Sequence, residues 1–90
     1  MDIRYLKDPD GELHISAHGV SEVEVAAVLS RPVETIHGRD GAMLATGQTQ
    51  AGRWIRVVYI VEEDESVFII TAFDVPPKQV RALKRRRRDR

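Results

Sequence analysis

The chain has 90 residues, 42% of them hydrophobic, and 14 Lys or Arg balance 14 Asp or Glu; this fits one domain with a modest core and excludes wholesale disorder. There is no cysteine, which excludes disulfides and thiolate-ligated zinc or iron–sulfur centres. The longest strongly apolar run, Val57–Val61, is far too short for a membrane helix, and Met1-Asp2-Ile3-Arg4 lacks the order of a secretory signal, so a cytoplasmic location is expected.

Asp2-Ile3-Arg4-Tyr5-Leu6 alternates polar and apolar residues and predicts a short edge strand. Asp8-Pro9-Asp10-Gly11 is a turn signal. Residues 12–18 fit a short helix stopped by Gly19 in a left-handed cap, with a strand as the alternative. The next helix has the clearest start. Ser21 and Glu24 form a capping box, and Val20 and Val25 occupy the positions of a hydrophobic staple. Val25, Val28 and Leu29 share its apolar face, and Pro32 ends it.

The periodicity then changes to two. Strands are predicted over 33–37, 42–49, 53–62 and 66–73, the second weakened by Gly47. They are joined by an Asp40-Gly41 hairpin signal, by Gln50-Ala51-Gly52 and by the acidic Glu63-Asp64-Glu65. Short connections imply an antiparallel meander. The last two strands are apolar on both faces and should be central and partly covered on both sides. Pro76-Pro77 opens a final helix whose stripe is Val80 and Leu83. Beyond Lys84 come Arg85–Arg88, and a frayed tail is expected over 86–90. The fold class is α+β: a four-stranded antiparallel meander, one or two N-terminal helices and a basic C-terminal helix in a single domain.

The balanced charge is sharply segregated. Residues 1–74 hold six Lys or Arg against thirteen Asp or Glu, whereas residues 75–90 hold eight against Asp89 alone. The cationic pole suits phosphates, an acidic protein, or the acidic body of the chain itself.

His18-Gly19-Val20-Ser21 before an acidic amphipathic helix, Gly52-Arg53-Trp54-Ile55-Arg56-Val57-Val58-Tyr59, and Ile69-Ile70-Thr71-Ala72 before a Lys/Arg-rich helix together resemble the BrnT family of bacterial toxins. The likeness runs over residues 12–85. Phe73 stands where that family often has arginine, and Leu83 where it often has tyrosine. The resemblance implies a RelE-like ribonuclease fold and a type II toxin–antitoxin system. It further implies a metal-independent endoribonuclease that arrests translation and a cognate antitoxin of the ribbon-helix-helix DNA-binding kind. A non-catalytic RNA- or protein-binding module on the same fold is the alternative.

Metal-free RNA cleavage needs a base, an acid and cations that stabilise the phosphorane oxygens. His14 and His18 are the candidate acid–base pair, because histidine titrates near neutrality. His18 also fits a plain helix cap. Arg53 is the candidate phosphate clamp, since its planar fork matches phosphate; pairing with an acidic neighbour is its structural alternative. Thr71, Lys78, Arg81, Lys84 and Arg85 are candidate RNA contacts, the last four forming a cationic helix face by their spacing. Trp54, Tyr59, Phe68 and Phe73 are expected in the core rather than as base-stacking platforms. His14-x-x-x-His18 has no third ligand on its face, so no metal and no cofactor are expected.

Overall fold

A computed structural model describes residues 2–88. The elements in order are β1 (Ile3–Tyr5), a 3₁₀ turn (His14–His18), α1 (Glu22–Ser30), β2 (Glu34–His37), β3 (Met43–Gln48), β4 (Trp54–Val61), β5 (Val67–Asp74) and α2 (Pro77–Arg88). The fold is α+β. No helix is long and apolar enough to cross a membrane, among the described residues.

The predicted meander is present, with β2, β3, β4 and β5 paired antiparallel in sequence order. The sheet is larger than expected, however. It has five strands in the order β1-β5-β4-β3-β2, and β1 runs parallel to β5. The alternating Asp2–Leu6 segment marked the strand but not its partner. Ile3 and Tyr5 dock against the core beside Val67 and Ile69, so burial selects that edge.

The hairpin between β2 and β3 follows its sequence signal. Asp40 (φ 56°) and Gly41 (φ 80°) are both left-handed, and Ala42 N–H donates to the Arg39 carbonyl at 2.9 Å. This is the backbone of a primed turn, whose twist matches that of its strands. Residues 12–18, ambiguous in sequence, form a 3₁₀ helix ended by Gly19 at φ 69°. At α1 the capping box is complete: Ser21 Oγ accepts from Glu24 N–H at 3.2 Å, and Glu24 Oε1 accepts from Ser21 N–H at 3.0 Å.

The core lies on one face of the sheet. There, Ala45, Ile55, Val57, Val67, Ile69 and Ala72 pack under Ile15, Val20, Val25 and Val28 from the 3₁₀ turn and α1. This core is aliphatic. The four aromatics expected in it are each only half-buried. Gly47 is where α1 comes closest to β3: a Cβ there would lie 3.3 Å from Val28 Cγ1 and 3.5 Å from the Arg31 carbonyl. The residue that weakens β3 by propensity is thus required by helix packing.

The opposite face is covered at one end only. Its rows are set by register: Glu34, Thr46, Arg56 and Phe73; then Ile36, Leu44, Val58 and Thr71; then Ile60, Phe68 and Arg4. Helix α2 crosses the first row, and its Val80 and Leu83 are buried, at 9% and 2% exposure. Arg56 Nη1 donates to Gln79 Oε1 at 3.2 Å. Two arginines of the expected frayed tail are bonded instead: Arg86 donates to Glu34 at 3.0 and 3.1 Å, and Arg87 to the Val33 carbonyl at 3.0 Å. The helix continues through Arg88; residues 89–90 lie outside the described residues.

Substituting Gly47→Val should cost about 1–3 kcal/mol, the usual penalty of overpacking. Urea unfolding followed by circular dichroism measures it, and an unchanged midpoint would show that α1 does not press on β3 there.

Candidate functional site

Arg53 immediately precedes β4, and all five of its guanidinium N–H donors have acceptors. Nε donates to Asp74 Oδ1 at 2.7 Å and Nη2 to Asp74 Oδ2 at 3.0 Å, a two-pronged bond that closes the β4–β5 end of the sheet. Nη1 donates to the Gly19 carbonyl at 2.8 Å and lies 3.1 Å from each oxygen of Glu24. Nη2 also reaches the His18 carbonyl at 3.4 Å. One side chain therefore ties together the end of the 3₁₀ turn, the start of α1 and the ends of two central strands.

The electrostatics follow from that geometry. Bonding to Arg53 holds the Asp74 carboxyl below the usual aspartate value. Glu24 is also lowered, first by the Ser21 N–H of the capping box and then by Arg53. Bonding to Asp74, followed by Glu24, raises the Arg53 pKa despite partial desolvation. With two carboxylates on its guanidinium, Arg53 has no donor left for a phosphate. The structural alternative weighed above, an arginine paired with acidic neighbours, is the arrangement found.

His14 and His18 do come together. Their rings meet edge-on with centroids 5.4 Å apart, and the Phe73 ring lies 6.4 Å from His18. His14 Nδ1 is 2.9 Å from Asp8 Oδ1. A carboxylate accepting from Nδ1–H leaves Nε2 as the free nitrogen of a neutral ring. His14 is half-buried, whereas His18 is exposed. The 3₁₀ turn thus presents two imidazoles side by side, one of them oriented. His18 and Arg53 converge only through the His18 backbone, so the arginine and the imidazole pair do not form one catalytic set.

Thr71 lies in the middle row of the opposite sheet face, away from Arg53. Lys78, Arg81 and Arg85 are exposed on α2 and make no ion pair among the described residues. Lys84 lies with its ammonium 5.8 Å from the centre of the Trp54 ring. The cationic face predicted from spacing is therefore divided: Lys84 caps an aromatic, Arg86 and Arg87 fasten the helix to β2, and Lys78, Arg81 and Arg85 face outward. Among the described residues, no cluster of three or more His, Cys, Asp or Glu side chains is placed to hold a metal ion.

Sequence reasoning missed Asp8, Asp74 and the second role of Glu24. Glu24 was legible only as a cap. Asp8 and Asp74 stand six and twenty-one residues from the groups they bind, and no local pattern signals such a pairing.

Comparison with protein-family models, with curated proteins and with solved structures finds no match for this chain.

Because Arg53 is a clamp, Arg53→Ala should destabilise the fold by about 2–3 kcal/mol, the scale of lost charge-assisted hydrogen bonds. Arg53→Lys should recover little of it, because an ammonium cannot reproduce the fork. The folded pKa values of Asp74 and Glu24 are depressed, so their stabilisation is complete above the ordinary carboxylate value near 4 and is lost as pH falls through the lowered values. The gap between wild type and Arg53→Ala should then be constant near neutrality and narrow below about pH 4. Urea titrations across pH measure this, and a variant as stable as wild type would remove the clamp.

Proposed function

We propose that the protein binds RNA along α2 and, in keeping with its resemblance to BrnT, is the toxin of a type II toxin–antitoxin pair. The observation that carries the reading is the state of that helix. Its inner face is fixed to the sheet by Val80, Leu83, Arg86 and Arg87, while Lys78, Arg81 and Arg85 stand in solvent without carboxylate partners among the described residues. Unpaired cations at helical spacing on an anchored helix can follow a phosphate backbone. The body repels RNA, since residues 1–74 hold more than twice as many acidic as basic side chains, and this confines the contact to α2. Release of the 5′-oxygen and activation of the 2′-hydroxyl fall to the imidazole pair. His14, oriented by Asp8, and His18, open to solvent, meet edge-on with centroids 5.4 Å apart, near enough for one to serve the 2′-hydroxyl and the other the opposed 5′-oxygen of one phosphodiester. Arg53 supports the pair by holding the His18 carbonyl and takes no direct part. The antitoxin implied by the resemblance, a ribbon-helix-helix protein, would neutralise the toxin.

A second reading, a non-catalytic RNA-binding module, is favoured by one observation: the saturation of Arg53 leaves the histidine pair without that arginine for the transition-state charge.

Binding of single-stranded RNA should weaken steeply with salt. Replacing Lys78, Arg81 and Arg85 together by alanine should shallow the log–log slope by about 2 units, at about 0.7 per phosphate. Fluorescence anisotropy over a salt series reads this, and an unchanged slope would move the contact away from α2. His18→Gln and His14→Gln should each abolish cleavage of labelled RNA in excess chelator while sparing affinity. Binding with no cleavage by the wild type would select the second reading.

A further inference from the structure

Beside α2 the sheet face is open. Two of its three rows have no helix over them. Ile36, Leu44, Val58, Ile60 and Phe68 line it together with Thr71 and with Arg4, whose guanidinium is held by Glu62 and Ser66, and Ile36 is 45% exposed. The two ends of this face carry opposite charge. At the end where β4 begins lies α2 with its cations. At the end where β4 finishes lies the Glu62–Glu65 turn, with Glu63 and Glu65 exposed and without ion pairs among the described residues.

We infer that this face is the interface of a twofold dimer of the chain, with the apolar rows back to back and each α2 beside the acidic turn of the other copy. The argument is one of spacing and charge. Facing sheets pack about 10 Å apart. A helix seated on a sheet rises by a similar distance, so α2 of one copy would lie level with the second sheet rather than block it. A twofold axis between the sheets and across the strands reverses strand direction. The cationic end of each copy then meets the acidic end of the other, twice, by symmetry. The parallel alternative sets α2 against α2, cation against cation, and is disfavoured.

Area requires the charged ends to contribute. The seven positions of the two bare rows, each about 4.8 Å across and 6.8 Å along a strand, give a bare face of roughly 230 Å². A stable interface buries roughly 800 Å² per partner. The apolar rows alone therefore fall short, and the flank of α2 against the turn supplies the remainder. This makes the dimer salt-sensitive, because rim charges are screened.

The test is sedimentation velocity on the full chain, free of nucleic acid, across the micromolar range. Twice the 10.2 kDa chain mass is expected, shifting toward the monomer as salt rises. Ile36→Arg, at an edge-strand position already exposed, should give monomers with an unchanged circular dichroism spectrum. Glu63→Lys with Glu65→Lys should weaken the dimer at least tenfold, and adding Lys78→Glu with Arg85→Glu should restore it. A wild type that stays monomeric at all concentrations overturns the inference. So does a dimer indifferent to both Ile36→Arg and the charge exchange. These readouts contain no RNA, so they stand or fall apart from the RNA reading.

Discussion

The fold is organised around one guanidinium. Arg53 binds Asp74 at the end of β5, Glu24 in the first turn of α1 and the backbone carbonyls of His18 and Gly19. Two of these partners are also committed elsewhere: Glu24 closes the capping box of α1, and Gly19 ends the 3₁₀ turn in the left-handed conformation. The segment bearing His14 and His18 is thereby attached to the most central strands, although it contributes only Ile15 to the fully buried core. An arginine saturated by carboxylates and carbonyls makes a precise joint because its donors are fixed in one plane. The same saturation removes it from ligand binding. A residue that looks like a ligand contact in sequence is a structural joint in the fold.

Much of the fold was legible because local rules and global packing agree. The Ser21–Glu24 box, the Asp40-Gly41 turn, the period-two strands and the Val80–Leu83 stripe all appear where the sequence put them. The parallel pairing of β1 with β5 was not legible, since a three-residue strand carries no information about which edge it joins. The aliphatic core, with Trp54, Phe68 and Phe73 on the other face and Tyr59 only at its margin, was not legible either: apolar alternation shows which residues share a face, not which face is covered. At the site, the spacing of His14 and His18 anticipated that their rings would meet, whereas the carboxylate partners of Arg53 were not legible. They are Asp74 and Glu24, twenty-one and twenty-nine residues away.

Charge segregation gives the molecule its division of labour. The acidic body uses its cations internally, as Arg4 with Glu62 and Arg53 with Asp74 show. The C-terminal helix has more cations than the body engages: Arg86 is neutralised by Glu34, Lys84 lies against Trp54, and the outward row makes no ion pair among the described residues. An excess of this kind makes a partner's charge the complement of the surface. On the proposed reading, RNA and a second copy of the chain are alternative complements to this row, because Lys78 and Arg85 serve both.

The central claim is that Arg53 holds the structure while α2 meets RNA. The most direct measurement is nitrogen-15 NMR of the arginine side chains, with and without single-stranded RNA. The account predicts separate, slowly exchanging guanidinium signals for Arg53 that do not move when RNA is added, while signals of Arg81 and Arg85 shift and broaden. Movement of the Arg53 signals on titration, with those of α2 unchanged, would contradict it.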